Sequence, residues 1–191
     1  STSLSNNSGT DGKDLGVDFA ELSAALNGSS APAPAPTPTP APTSLKVEFE
    51  NYDGGGDGVG YHDTTAGNSG GVYRSNNVDI QATTDAGGGY NIAWVKATEW
   101  LNYTVTIPAT ATYSFDVRVA CTGSGGSFHI EVDGANKTGS IAVPNTGGWQ
   151  VWTTVTKTGI SLTAGTHVVK VVMDANSSSG SVGNFNWFVI R

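Results

Sequence analysis

Residues 44–191 are predicted to fold as an all-β antiparallel sandwich of two sheets. Three observations predict it: apolar and polar residues alternate in several short runs, turn-forming residues separate those runs, and only 13% of the 191 residues are charged. Surface helices need Glu, Lys and Arg on their wet faces, and this chain has few to give them. No amphipathic helix of ordinary length can be read in this region.

The elements follow in order. Leu101, Tyr103, Val105 and Ile107 face one way, with Asn102, Thr104 and Thr106 opposite, which is the two-residue period of a half-buried strand. Tyr113, Phe115, Val117 and Val119 repeat the pattern, as do Phe128, Ile130 and Val132. Val169, Val171 and Met173 come next, and Phe185, Trp187 and Val189 complete the series. Pro108, Gly123 to Gly126, Asp133-Gly134, Pro144 to Gly148, Ala164-Gly165 and Ser177 to Gly183 supply the turns. Short strands at this spacing make a two-sheet sandwich.

Two segments precede the sandwich. Residues 1–30 read as a polar lead-in or the tail of a preceding domain, with Leu15, Phe19, Leu22 and Leu26 near helical spacing. The phrase from Thr10 to Phe19 resembles the ends of some right-handed β-helix polysaccharide-degrading proteins. Residues 31–43 read APAPAPTPTPAPT, in which proline fixes φ and removes backbone donors. Such a segment is an extended, semi-rigid linker spanning on the order of 40 Å. The chain opens on Ser1 and carries no signal peptide, so it is expected to be a piece of a larger secreted protein.

Composition narrows the partners. A formal net charge of −7 opposes a nucleic-acid backbone, an anionic membrane or a densely anionic polymer, and favours a neutral ligand. No apolar run approaches the roughly 20 residues of a membrane span. The single cysteine, Cys121, has no partner for an internal disulfide and reads as a small core or strand-end residue. His62, His129 and His167 are scattered, without metal-ligand spacing or an adjacent nucleophile. Asn102, Asn136 and Asn176 begin glycosylation-acceptor triplets, a loose pattern in an Asn-rich chain. A monomer is expected.

Five tryptophans carry the functional reading. Trp152 and Trp187, flanked by strand residues, are assigned to the core. Trp94 follows the glycine-rich stretch from Gly87 to Gly89, and Trp149 follows Gly147-Gly148 and is expected to begin a strand. An exposed indole on a rigid strand end suits the C–H face of a pyranose ring, whose hydroxyls stay free to hydrogen-bond.

Several phrases then stand in order: Val47 to Tyr52, Gly60 to Arg74, Asn91 to Tyr103, Gly147 to Trp152, Leu162 to His167 and Asn184 to Phe188. Together they resemble family 6 carbohydrate-binding modules across Leu45 to Arg191. The resemblance implies a jelly-roll with a sugar cleft in the loops at one end of the sandwich. Trp94 and Trp149 match its two clamping aromatics, Asn184 its hydroxyl-binding Asn, and Gln81 a polar residue that helps select the glycan. Trp94 stands where the family often has Tyr, which keeps the stacking face and loses a phenolic hydrogen bond. Trp100 and Glu131 match a second cleft that some members carry on a sheet face, though Trp100 equally reads as locally packed.

Glu48 and Glu50 alternate, which on one strand directs both carboxylates to the same face, where a cation would relieve their repulsion. The resemblance implies a structural Ca2+ near the first strand, held by Glu48, Glu50, a carbonyl near Arg74 and Asn186. The family commonly has Asp at the last of these places. Asp53, Asp57 and Asp63 read as loop-solubilising acids or as a further calcium set. The resulting expectation is a non-catalytic, secreted polysaccharide-binding module serving a catalytic domain of the same polypeptide, with xylan, β-glucan or agar as the glycan type. The alternatives are a surface adhesion or protein-interaction sandwich, and a small glycosidase using Glu48 and Glu50.

Overall fold

A strand with one apolar face must cover that face, and here two sheets cover each other. The computed structural model describes residues 44–191; the lead-in of residues 1–30 and the linker of residues 31–43 lie outside the described residues. The first sheet contains β1 (Leu45–Glu48), β3 (Ile80–Ala82), β4 (Tyr90–Ile92), β6 (Ala111–Ala120), β10 (Thr153–Leu162) and β12 (Asn184–Ile190). Its order is β10-β6-β12-β4-β3, with β1 also pairing β12. The second sheet contains β2 (Tyr61–His62), β5 (Trp100–Ile107), β7 (Gly126–Val132), β8 (Ala135–Asn136), β9 (Ile141–Val143) and β11 (Gly165–Ala175). Its order is β2-β5-β11-β7-β8, with β9 also on β7. Every pairing between these strands is antiparallel.

The alternating runs became β5, β6, β7 and β11, and their predicted inward residues are buried. The last strand departs from simple alternation. Phe185 opposes Val119 and Phe188 opposes Val117, so Asn186 and Trp187 share the single position Arg118. This β-bulge resets the face of the strand and turns both Phe185 and Phe188 into the core. The expected common face of Phe185, Trp187 and Val189 is therefore corrected: Trp187 and Val189 are only half-buried.

The other edge of β12 is shared. Phe185 pairs Ile92 of β4, whereas Trp187 to Ile190 pair Glu48 to Leu45 of β1. Between them the chain of β1 leaves the sheet as one 3-10 turn, Phe49–Asn51. The cause is Phe49, whose ring enters the core within 5.7 Å of Tyr103, 5.2 Å of Phe185 and 5.6 Å of Phe188. The Tyr103 hydroxyl donates to the Phe49 carbonyl at 2.9 Å, so the same contact satisfies a buried phenol. Full burial of each such side chain is worth about 1.5–3 kcal/mol.

The core is built from Phe, Tyr and aliphatic residues and contains no tryptophan among the described residues. The assignment of Trp152 and Trp187 to it is corrected. Trp187 is turned outward by the bulge and lies under the Lys46 ammonium at 5.3 Å, and Trp152 stays half-exposed in the segment before β10. The strand expected to begin at Trp149 starts instead at Thr153, as β10. It is a Thr-rich edge with a register shift between Lys157 and Ile160, and its exposed polar face hides the two-residue period.

The hairpin joining β3 to β4 is pinned to the outer face of its sheet at the bulge. Asp85, almost fully buried, accepts from Arg118 Nε and Nη2 at 2.8 Å each and from Asn186 Nδ2 at 2.9 Å. These donors, the guanidinium first, hold its carboxyl below the ordinary aspartate value of 3.8 despite burial. A depressed native pKa means stabilisation that is complete above the unfolded value and lost as pH falls through the native one. Asp85→Asn is expected to lower unfolding free energy in urea at neutral pH by about 2–3 kcal/mol. Acidification below 3.8 should bring wild type and variant together; a constant gap across that range would show that charge contributes nothing there.

Candidate functional site

At the end of the sandwich where β12 begins, Gln81, Trp94, Trp149 and Asn184 line a single cleft of about 350 Å3. The four residues that sequence reasoning proposed for one site are thus together. The volume lies within the range of small-ligand sites.

Trp94 follows β4 with φ at 54°, the left-handed region that a bulky side chain rarely enters. Such a conformation costs on the order of 1–3 kcal/mol and persists only where its neighbours fix it. Here Ala93 N donates to Asp79 O at 2.9 Å and Val182 N donates to Val95 O at 2.8 Å, holding the chain on both sides. The consequence is an indole turned out to solvent, 44% exposed at the rim.

Trp149 does not begin a strand, as the sequence suggested, but sits in the turn ahead of β10. Its ring is half-buried, leaning on the core edge while lining the cleft. Asn184 Nδ2 donates to the Trp149 carbonyl at 2.6 Å, so the first residue of β12 positions this turn. Gln150 ties the same turn to the opposite wall. Its Oε1 accepts from Thr84 N at 2.8 Å, and its Nε2 donates to Oδ1 of the fully buried Asn91 at 3.1 Å. Asn91 completes the strut through its Nδ2, donating to the Ile92 carbonyl at 2.9 Å. The walls bearing Trp94 and Trp149 are therefore cross-braced.

Sequence reasoning missed four lining residues, Ala93, Lys96, Ser179 and Ser181. Lys96 stands two residues beyond Trp94, which could have marked it; the serines read only as turn. The strut of Gln150 and Asn91 also went unread, because neither residue type signals bracing by itself.

A family model described as carbohydrate binding module (family 6) matches residues 72–191. The chain belongs to this family. Family 6 modules also head the structural likenesses. A module from Cellvibrio mixtus lichenase 5A, solved with cellotriose, is 32% identical, with a TM-score of 0.58 over 77% of this chain and 95% of that one. A β-1,3-glucan-binding family 6 module from Bacillus halodurans is 31% identical, with a TM-score of 0.57 over 77% of this chain and 95% of that one. The clotting factor G alpha subunit of Tachypleus tridentatus is 31% identical over 120 residues, which is 62% of this chain and 17% of that protein. The isomaltosyltransferase of Sporosarcina globispora matches over 41% of this chain and 7% of its own length. The chain thus spans only a small part of these larger relatives.

The residues read as a family 6 calcium site are arranged differently from the expected strand face. Alternation stops at Glu48, where β1 ends, and Glu50 lies in the 3-10 turn that Phe49 draws inward. Glu48 pairs with Lys46 at 2.7 Å, while Glu50 is 5% exposed and its Oε2 has no hydrogen-bond partner. Burial pushes the Glu50 carboxyl up to about 6, and the Glu48 carboxylate adds to the shift. The Arg74 carbonyl accepts from Asn68 Nδ2 at 2.9 Å, and Asn186 commits its Nδ2 to Asp85. An orphaned, buried carboxylate oxygen beside a second acid is what a hard cation would satisfy, so Glu48 and Glu50 fit calcium. Among the described residues no group of three or more His, Cys, Asp or Glu side chains is placed to hold a metal. Asp53 instead caps Thr104, Asp57 bonds His62 and Asp63 bonds Thr65.

Trp100 and Glu131 share the outer face of the second sheet but lie two strands apart, separated by β11. Lys170 of that strand bridges them, 4.8 Å over the Trp100 ring and 3.7 Å from the Glu131 carboxylate. Trp100 is partly exposed on this face.

Cross-bracing predicts a measurable effect away from the rings. Gln150→Ala leaves both tryptophans in place and removes the strut, and should weaken binding of a retained glycan about fivefold in titration calorimetry, as preorganisation is lost. Unchanged affinity would show that the Trp149 turn holds its own shape.

Proposed function

We propose that this module grips the end of a polysaccharide chain between Trp94 and Trp149, with Asn184 and Gln81 hydrogen-bonding the sugar hydroxyls, and performs no catalysis. The convergence of these four residues on one cleft carries the reading. A pyranose enters edge-on between aromatic faces and is fixed by amides that discriminate hydroxyl positions. A clamp at a closed sandwich end suits a chain terminus better than a chain running through.

Absence of catalysis is supported by the lining itself: none of the cleft residues described is an acid, whereas glycoside hydrolysis uses two carboxyl groups flanking the bond. Glu48 and Glu50 belong to the 3-10 turn region, one ion-paired and one buried. The glycan is proposed to have a neutral backbone of the xylan, β-glucan or agar type. The Cellvibrio relative was solved with cellotriose and the Bacillus relative is described as binding β-1,3-glucan, which favours β-glucans. Contact with one or two sugars implies a dissociation constant of about 10 μM to 1 mM. Function then lies in tethering: as a secreted monomer joined through residues 31–43 to a catalytic domain, the module raises that domain's effective concentration at its substrate. Among the described residues, no helix is long and apolar enough to cross a membrane.

Calcium is proposed as the structural ion at Glu48, Glu50, the Arg74 carbonyl and Asn186. It supplies positive charge to a buried carboxylate, and the chain contributes the pocket by drawing Phe49 inward.

Two experiments test these readings. In affinity electrophoresis against laminarin, xylan, agar, cellulose and mannan, the wild type should be retarded by at least one polymer, and Trp94→Ala with Trp149→Ala should abolish it. Retardation surviving in the double variant would remove the clamp; no retardation of the wild type would favour a protein-interaction sandwich. In thermal unfolding, calcium should raise the midpoint over chelator. Glu50→Gln should lose that increment, and a midpoint indifferent to calcium would dismiss the ion.

A further inference from the structure

The cleft has a charge opposite in sign to that of the whole chain. Its lining is Gln81, Ala93, Trp94, Lys96, Trp149, Ser179, Ser181 and Asn184, in which Lys96 is the one charged residue. The formal net charge is −7, yet no carboxylate lies within ion-pair distance of the Lys96 ammonium among the described residues. Its nitrogen donates to the Gly180 carbonyl at 2.8 Å and to Ser181 Oγ at 3.3 Å, both uncharged. Two of its three protons are thereby directed, and its charge is left without a counter-ion.

This ammonium is also held in place. The turn that accepts from it is closed by Ser177 Oγ donating to the Ser181 carbonyl at 2.7 Å, and is packed against Gly123, where an added Cβ would stand 2.7 Å from Ser179 N. The positive charge therefore stands fixed at the wall of the cleft, close to the emerging indole of Trp94. The Glu99 carboxylate accepts from the Lys96 backbone N at 2.8 Å and not from its ammonium.

Resting on the clamp reading above, the geometry points to an anionic substituent on the terminal sugar, a carboxylate or a sulfate ester, paired with Lys96. A neutral chain is accepted by the two indoles; the end that carries the anion is bound more tightly. The expectation of a wholly neutral ligand followed from net charge, which averages over acids that line no part of this cleft. An ammonium is a point charge without the bidentate geometry of a guanidinium, so it serves either anion.

The test compares ligands in pairs with the full chain. Titration calorimetry is run with laminarin, cellotriose and unsubstituted xylan, then with C6-oxidised laminarin and cellotriose, glucuronoxylan, and 6-sulfated laminarin. Wild type should bind at least one anionic form about twofold to fivefold tighter than its neutral parent. That preference should fade at about 0.5 M salt. Lys96→Gln and Lys96→Met should bring the anionic-to-neutral ratio to about one whatever happens to absolute affinity, and Lys96→Arg should preserve it. The carboxylated and sulfated arms identify which anion is preferred. A wild-type ratio of one with neutral binding intact overturns the inference and leaves the clamp standing. A ratio unchanged in Lys96→Gln also overturns it, reducing Lys96 to support of the serine turn. Binding of none of these glycans overturns the clamp and this inference together.

Discussion

The packing of Phe49 against Phe185, Phe188 and Tyr103 is the contact on which the arrangement of both ends of this sandwich depends. The last strand can present two phenylalanines three residues apart to one core only through its bulge. That bulge separates Asn184, which goes to the cleft, from Asn186, which goes to Asp85. The same ring forces β1 out of the sheet and leaves Glu50 buried in the turn. Recognition and the acidic pocket are thus consequences of one aromatic cluster rather than separate inventions.

What sequence made legible follows from period and chemistry. Four long strands were readable because each buries one face completely and exposes the other, so alternation survives in the residue types. β10 was placed only through the turn before it, because an edge strand has little to bury and its threonines carry no period. The end of the chain misled for a different reason: Phe185, Trp187 and Val189 alternate perfectly on paper, and one extra residue in the strand reverses their faces. Trp94, Trp149, Asn184 and Gln81 were found through phrases at characteristic separations. Lys96 was not, since its meaning depends on its ammonium having no carboxylate within ion-pair distance, which is a property of three dimensions alone.

The cleft combines strain and bracing in a way that bears on how it works. Trp94 is held in a left-handed backbone conformation between two fixed strand ends, and Trp149 is tied by Asn184 and Gln150 to separate elements. On the proposed clamp, little would have to be ordered when a sugar arrives, so a small contact area would retain more of its gross interaction energy. Among the described residues no tryptophan belongs to the core, which phenylalanine, tyrosine and aliphatic residues fill.

Leu45 stands opposite Ile190 in the ladder, so the first and last strands of the sandwich bring residues 45 and 190 side by side, at the opposite end of β12 from Asn184. A domain with neighbouring ends can be spliced into a longer chain as a pendant, without pulling its host apart and without any turn of the host obstructing its mouth. Portability of this kind follows from a strand pairing alone.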